Sequence, residues 1–524
     1  MPSRDEVAAG GNRRRRRRPA IRAGAVERRP RNMDGDTPMP DSAPGRDLLT
    51  VYASSRPTRR YYGAFSVFCL GFTLDFFDFY LVGFLVAVLG PGWHLTYGQS
   101  SMILLSAGAG AILGSLCTGA LADAFGRKRL LLASTTLCGC AAGAVAFLPE
   151  GDWHGFAVLR FLVGFGLAGA ATTQTVLLVE LTPGAYRKRL TGFPFVAASV
   201  GSLVASLLAA AFLHAFGWRG VAALGLSPLL VTLSAAFAVP ESAQWLLGKA
   251  RPNEARAVFA WLLRVEPGQL PPAPPAATHG PDTTGEGAGH GAAPPVPDAD
   301  GLMSLPWRTL LVVLSWGALS TAGYGVYLWG PAIVSLLLRV PAAQSAGYFV
   351  IVALAGIAGR LLFSVLPAWW SRRRLCCLTG FGIALALAAA GIESQALVAG
   401  FPVFVICVAL AAVFFDGGWC VIGPYSAEIF PTRLAARAIG IGQAANGVGK
   451  ILGPLCLAMI AGTGNLVTPR ATADAVLPAF LFLGGCGLLM GLLFLLGAPA
   501  DSAQTGTARS RSAAREAAAV RPLH

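Results

Sequence analysis

Apolar residues along this chain gather into runs of about 20 or more, the length a helix needs to cross a hydrocarbon core of roughly 30 Å. Runs occupy about 61–90, 99–122, 129–148, 154–181, 189–214 and 219–239. Six more follow at about 307–337, 343–369, 375–392, 398–427, 437–461 and 476–497. Between the sets lies a Pro-, Ala- and Gly-rich stretch that cannot build a core. Backbone in lipid must satisfy its own hydrogen bonds, so runs of this length are helices. The alternating ten-residue segments of a membrane barrel are missing. The pattern predicts an all-α membrane protein with twelve transmembrane helices in two six-helix bundles. Five parts follow: a disordered basic tail (1–60), an N-terminal bundle (61–240), a linker with a disordered part (241–305), a C-terminal bundle (306–498) and a second disordered tail (499–524).

Composition sharpens this picture. The 524 residues are 54% hydrophobic and 13% charged, against roughly a quarter charged in a soluble domain. The net charge of +15 and the run Arg13 to Arg18 invite a nucleic-acid reading. The distribution of that charge argues against it. Arg127, Lys128 and Arg129 follow the second run, and Arg187, Lys188 and Arg189 the fourth. Lys249, Arg251, Arg256 and Arg264 follow the sixth, Arg372, Arg373 and Arg374 the eighth, and Arg433 and Arg437 the tenth. The opposite loops hold only Arg219, Arg339 and Arg470. Such alternation marks cytoplasmic loops and predicts both termini in the cytoplasm of a multi-pass protein of the cell (inner or plasma) membrane. The partners expected are lipid, a small solute and protons, for a monomer that binds no nucleic acid and carries no cofactor or metal. Ten cysteines, mostly inside apolar runs, form no metal or disulfide pattern. No Walker lysine loop or nucleophile elbow points to an enzyme.

The halves repeat. Glu180, Pro183, Arg189 and Gly192 recur as Glu428, Pro431, Arg437 and Gly440, each 248 positions on (428 less 180). Two similar halves are a build many transporters use for alternating access, which predicts pseudo-symmetric bundles.

Ionised groups at mid-bilayer depth cost roughly 3 kcal/mol on insertion scales and need partners or water. The first run carries Asp75 and Asp78 in T-L-D-F-F-D-F-Y, three apart and so on one face. A carboxylate in a partly dry cavity gains a proton more readily, and a neighbouring arginine opposes this. Arg160, about one turn into the fourth run, is the natural partner, and Asp75, Asp78 and Arg160 are the candidate proton-coupling set. A static ion pair joining two helices, or an outward-snorkelling Arg160, is the alternative for Asp78 and Arg160, and a packing acid bonded to a neighbour for Asp75. Arg360, Asp416 and Lys450 add charges to the eighth, tenth and eleventh runs. With Arg160 they are candidates to line an anion-binding cavity; alternatively, Arg360 and Lys450 pair with acids such as Asp416 and touch no solute. Tyr324, Tyr327 and Trp329, before Gly330-Pro331, stack a ring or simply pack.

Several motifs carry a resemblance. G-A-L-A-D-A-F-G-R-K-R (Gly119 to Arg129, with Asp123, Gly126 and Arg127) resembles the G-x-L-x-D-x-x-G-R-K/R of the major facilitator superfamily. R-F-L-V-G-F-G (Arg160 to Gly166) is similar to its R-x-x-x-G-x-G. P-E-S-A-Q-W-L (Pro240 to Leu246) resembles the PES-x-x-WL of sugar and metabolite porters, and Gly217-Trp218-Arg219 and E-I-F-P-T-R (Glu428 to Arg433) also fit. The pattern, over about 60–498, is closest to metabolite:proton symporters. The resemblance implies a helix 1 Asp paired with a helix 4 Arg, as Asp78 with Arg160. It further implies an inter-bundle cytoplasmic gate of Asp123, Arg127, Glu180, Arg189, Glu428 and Arg437; the alternative is a solvated charge run. Departures are Ala368 where the second copy of the helix 2 motif would carry Asp, and Ala168-Gly169-Ala170 where phosphate and sialate symporters resemble G-G-D or G-G-E. The fifth run lacks the G-P-x-x-G-G of drug:proton antiporters. The expectation is proton-coupled symport of a small anionic organic metabolite by rocking of two bundles. The alternatives are a sugar or polyol symporter or uniporter, and proton-driven efflux.

Overall fold

The computed structural model describes residues 48–272, 305–430 and 432–497. Most of the tail read over 1–60, residues 273–304 of the linker, the tail from 499 and Pro431 of the repeat lie outside the described residues.

The long helices are α1 (Arg59–Gly92), α2 (Tyr97–Phe125), α3 (Arg127–Ala144), α4 (Trp153–Leu181), α5 (Phe193–Ala223) and α6 (Pro228–Ala238). In the second half come α7 (Pro306–Leu337), α8 (Ala342–Val365), α9 (Arg372–Ile392), α10 (Val403–Glu428), α11 (Thr432–Ala461) and α12 (Pro469–Leu496). Length and hydropathy pick out eleven membrane spans, because α5, a short 3-10 turn and α6 run together over 46 residues. A straight helix of that length would reach about 69 Å, more than twice a core of roughly 30 Å. It does not stay straight: Gly217 sits at φ 64°, ψ −166° and breaks it. Two spans therefore share that segment, and the described residues hold twelve.

Capping explains where several helices start. Thr58 accepts from the Tyr61 N–H ahead of α1, and Thr96 and Gln99 form a reciprocal capping box on α2. Three starts differ from the periodicity. Gly184–Leu190 folds as its own short helix, so α5 opens at Phe193 rather than 189. Leu397–Val398 and Phe401–Pro402 pair as a tight hairpin turning through Ala399 and Gly400, both at positive φ, so α10 opens at Val403 rather than 398. Thr468 caps α12, which opens at Pro469, seven residues before its apolar run.

Within the first half α1 packs on α5 and α4 on both α2 and α3; in the second, α7 packs on α11 and α10 on both α8 and α9. Between halves α1 meets α7, α2 meets α11 and α5 meets α8. Each contact maps onto its counterpart when the halves are exchanged, so the bundles are related by a pseudo-two-fold axis. Small residues allow these approaches: a Cβ on Gly164 would lie 1.9 Å from the Ala107 carbonyl oxygen, and one on Gly359 2.2 Å from that of Val413.

The end opposite the termini is sealed between bundles. Tyr97 N–H donates to the Asn465 carbonyl (2.9 Å), Gly98 N–H to Thr463 (3.0 Å) and Val467 N–H to Leu95 (3.0 Å). The Tyr97 and Thr472 hydroxyls meet at 2.6 Å. At the terminal end, helices Leu48–Ala53, Ala243–Gly248 and Pro252–Leu263 underlie the first bundle, with the Tyr52 ring 4.8 Å from Phe259.

Candidate functional site: a charged midplane between the bundles

Asp78 of α1 accepts from Arg160 Nη1 of α4 at 2.9 Å, and their side chains are 2% and 4% exposed. The pairing expected from sequence is present, and both groups are closed inside the first bundle. Arg160 Nε is buried without a partner. Three residues along a helix leave side chains about 60° apart, and that difference separates the two acids. Asp75 stays half-buried and accepts from Gln174 Nε2 of α4 at 2.6 Å. Gly71 makes room for this amide, since a Cβ there would stand 2.3 Å from Gln174 Oε1.

The second bundle holds its own buried pair. Arg360 Nε and Nη2 both donate to Asp416 Oδ1 (3.0 and 2.9 Å), while the Tyr327 hydroxyl donates to Oδ2 (2.8 Å). Gly356 leaves space for that carboxylate, with a Cβ 2.4 Å from Oδ2. Arg360 Nη1 also crosses the interface to the Phe195 carbonyl of α5 (2.7 Å), and its guanidinium lies 5.3 Å from the Phe76 ring of α1. Beside this pair a small cleft runs between Tyr80, Ser202 and Ser206 of the first bundle and Tyr327, Phe349 and Asp416 of the second.

Lys450 differs. Its Nζ stands 5.3 Å from the Tyr324 ring and 6.0 Å from the Phe79 ring of the other bundle, and those rings meet edge-on at 4.8 Å. Among the described residues no carboxylate forms an ion pair with it, although its charge acts on Asp75, one turn from Phe79. Of the two alternatives for these cations, Arg360 takes Asp416 and Lys450 does not. Trp329 packs on Tyr97 at the sealed end (5.3 Å), away from the midplane charges.

The cytoplasmic cluster is divided. In the first bundle Arg127 reaches Asp123 (3.5 Å) and Glu180 (3.9 Å). In the second, Glu428 pairs with Arg372, while Arg189 and Arg437 are exposed. The expected inter-bundle network is therefore not formed in this conformation. Each acid meets an arginine of its own bundle, and among the described residues the ion pairs stay within bundles. Gly119 is open to space on its Cβ side. Gly126, at φ 100°, brings the chain against Glu241, which accepts from the Lys128 N–H at the start of α3 (2.9 Å). Ser242 donates to Glu180, and Trp245 Nε1 to the Asp123 carbonyl (3.0 Å).

Sequence reasoning did not single out Gln174, Phe79, Tyr80, Glu241 or Arg372 as site residues. Gln174 was visible as an amide deep in an apolar run, and Glu241 as the acid of P-E-S; Phe79 and Tyr80 carried no signal beyond following Asp75 and Asp78.

A family model described as sugar (and other) transporter matches residues 64–505. The chain is 27% identical over 410 residues to the niacin transporter NiaP of Acinetobacter baylyi, covering 74% of this chain and 84% of that protein. It is 31% identical over 217 residues to the 4-hydroxybenzoate transporter PcaK of Pseudomonas aeruginosa, covering 41% of this chain and 48% of that one. Among solved structures, a D-xylose–proton symporter superposes with a TM-score of 0.65 at 18% identity, covering 84% of this chain and 98% of the other. The inward-open xylose transporter XylE of E. coli gives 0.62 at 19%, covering 84% and 96%. At such identities these structures speak for the fold.

Proposed function

Because the chain belongs to the sugar (and other) transporter family of the major facilitator superfamily, and is thus a membrane transporter rather than an enzyme, we propose that it carries a small anionic organic metabolite together with protons. Lys450 carries this reading. A lysine at the centre of a membrane helix costs roughly 2.5–3.5 kcal/mol, and a cation–π contact returns about 0.5–2 kcal/mol. Two rings return about 1–4 kcal/mol but accept no hydrogen bond from the ammonium, and among the described residues no carboxylate pairs with it, so an anion would be its direct counter-ion. A carboxylate on Lys450 would bring a planar ring beside the Phe79–Tyr324 pair, which already frames the ammonium. Niacin and 4-hydroxybenzoate, the solutes named for two relatives, are both aromatic carboxylic acids.

Of the expected proton-coupling set, Asp75 keeps an open face and the Asp78–Arg160 pair is fixed beside it. Arg360, Asp416 and Tyr327 form the facing wall of the site, and Arg160 sets the electrostatics from behind. The junction of α2 and α3 with Gly119, Asp123, Gly126 and Arg127, together with Glu180, Arg189, Glu428 and Arg437, works as the cytoplasmic gate as the bundles rock. On this reading the protein works as a monomer of the cell membrane with both termini cytoplasmic, the orientation that the loop arginines favour.

A sugar or polyol is the second reading, favoured by the hydroxyls of Ser202, Ser206 and Tyr80 on the cleft. Uptake into proteoliposomes under an imposed pH gradient separates the two. Niacin or 4-hydroxybenzoate should accumulate and xylose should not. Lys450→Gln should weaken apparent affinity roughly 10- to 150-fold, the worth of a charged hydrogen bond of about 1.5–3 kcal/mol. Preferential uptake of xylose, or a Lys450→Gln variant that binds carboxylates like the parent, refutes the anion reading.

A further inference from the structure

Among the described residues six charged side chains stand well inside the spans: Asp75, Asp78, Arg160, Arg360, Asp416 and Lys450. Four are consumed in the two buried pairs, Arg160 with Asp78 and Arg360 with Asp416, one inside each bundle. Asp75 and Lys450 remain, on α1 and α11, in opposite bundles. Asp75 keeps part of its surface open, and its direct partner among the described residues is the neutral Gln174 amide. Lys450 stands over Phe79, four residues and one turn beyond Asp75 on the same helix. The other groups around Asp75 are accounted for. Asp78 is held by Arg160; α3 presents the buried Cys138 thiol; α5 presents Gly201 and the Ala197 carbonyl around Thr73; α6 presents Val231 around Gly71; α7 presents Tyr324.

We infer that Asp75 is the proton carrier, that Lys450 is its exchangeable counter-charge, and that transport is electroneutral at one proton per monoanion. The inference rests on the reading of Lys450 as the solute's anchor. In the empty carrier Asp75 and Lys450 cancel. A monoanion on Lys450 occupies that cation and leaves Asp75 with a net negative charge at mid-depth; a proton on Asp75 restores neutrality. A proton without solute leaves Lys450 bare, and solute without a proton leaves Asp75 bare. An uncompensated charge in a low-dielectric interior is costly, so only the empty and the doubly loaded forms pass through the closed, water-poor intermediate. The ratio follows from the count of unpaired groups. The fixed pairs contribute nothing to it.

The test uses the full-length protein in proteoliposomes, with niacin and 4-hydroxybenzoate as probes and a pH dye inside. The parent should move one proton per probe molecule, and a potential clamped with potassium and valinomycin at either sign should leave its uptake rate unchanged. Asp75→Asn should lose accumulation driven by the pH gradient and retain solute exchange, because its loaded form is neutral while its empty form leaves Lys450 bare and does not return. A parent that moves net charge with either probe overturns the inference without any variant, as does an Asp75→Asn protein still accumulating probe on a pH gradient. If neither probe binds or moves, the Lys450 reading falls and takes this one with it; if both move with a current, only the coupling scheme falls.

Discussion

Replacing Asp78 by Asn separates a structural pair from a working one. The Asp78 and Arg160 side chains are 2% and 4% exposed and bonded at 2.9 Å, and Arg160 Nε already lacks a partner. Asn removes the charge and leaves one weak acceptor, so a guanidinium that cannot lose its proton stays closed among α1, α3 and α4. An exposed pair would lose about 0–1 kcal/mol on such a change. A buried one loses about 3–5 kcal/mol, because the remaining charge has no counter-ion. Removing both charges with shape-matched apolar groups is close to neutral in the same circumstances. Asp78→Asn should therefore cost about 3 kcal/mol or more, while Asp78→Leu with Arg160→Met recovers most of the loss. Asp75→Asn, where a half-buried acid faces a neutral amide, should shift stability by about 1 kcal/mol or less. Equilibrium unfolding of the purified protein in detergent micelles titrated with SDS reads all three. Equal losses for Asp75→Asn and Asp78→Asn, or a double variant less stable than Asp78→Asn alone, would refute the division of the two acids into one free and one fixed.

Two further changes probe the sealed end and the cytoplasmic network. Gly98→Val places a Cβ 2.8 Å from the Thr463 carbonyl oxygen, closer than carbon and oxygen tolerate, so the strand-like contact must part; labelling of Val467→Cys, a position 3% exposed in the sealed form, by a membrane-impermeant maleimide should rise several-fold, and unchanged labelling would contradict the seal. Glu241→Ala leaves the Lys128 and Ser242 N–H groups without their carboxylate and removes a negative charge from the N-terminus of α3; a loss of about 2 kcal/mol should appear as faster amide exchange over Lys128 to Leu131, and undisturbed protection there would show that the contact is idle.

The membrane class, the two halves and the loop charges were legible because each is written in one-dimensional statistics: run length, spacing and sign. The join between the fifth and sixth spans was legible too, since Gly217-Trp218-Arg219 interrupts the apolar pattern, and Gly217 takes positive φ there. What sequence spacing hid was which face of a helix points where. Asp75 and Asp78 look equivalent at a spacing of three, yet about 60° of rotation puts Asp78 on Arg160 and leaves Asp75 half-open. Arg360 and Lys450 look alike as deep cations, but only Arg360 stands where α8 and α10 approach closely enough for Asp416 to reach it, across the space Gly356 leaves. The gate residues failed differently: their symmetry is visible in the repeat, whereas their partners depend on which end of the molecule is closed.

The placement of strong and weak interactions bears on how such a fold can move. Among the described residues the ion pairs all lie within a bundle: Asp78 with Arg160, Asp416 with Arg360, Glu180 with Arg127 and Glu428 with Arg372. Across the interface, the Arg360–Phe195 hydrogen bond apart, the contacts are of a softer kind. The Phe79–Tyr324 and Tyr80–Tyr327 ring pairs, at 4.8 and 4.9 Å, are worth about 0.5–1.5 kcal/mol each. The three backbone bonds and the Tyr97–Thr472 contact at the sealed end sum to about 2–6 kcal/mol at 0.5–1.5 kcal/mol apiece. Breaking one buried pair costs as much as opening that whole end. Rocking the bundles therefore leaves the fixed pairs intact and exchanges only contacts of a few kcal/mol, the range in which solute and proton binding can shift a two-state equilibrium. Lys450 fits this division as the charge that belongs to the interface: it is held by rings from both bundles, so movement of one bundle against the other changes its surroundings as it changes those of no other midplane cation except Arg360, whose own carboxylate travels with it.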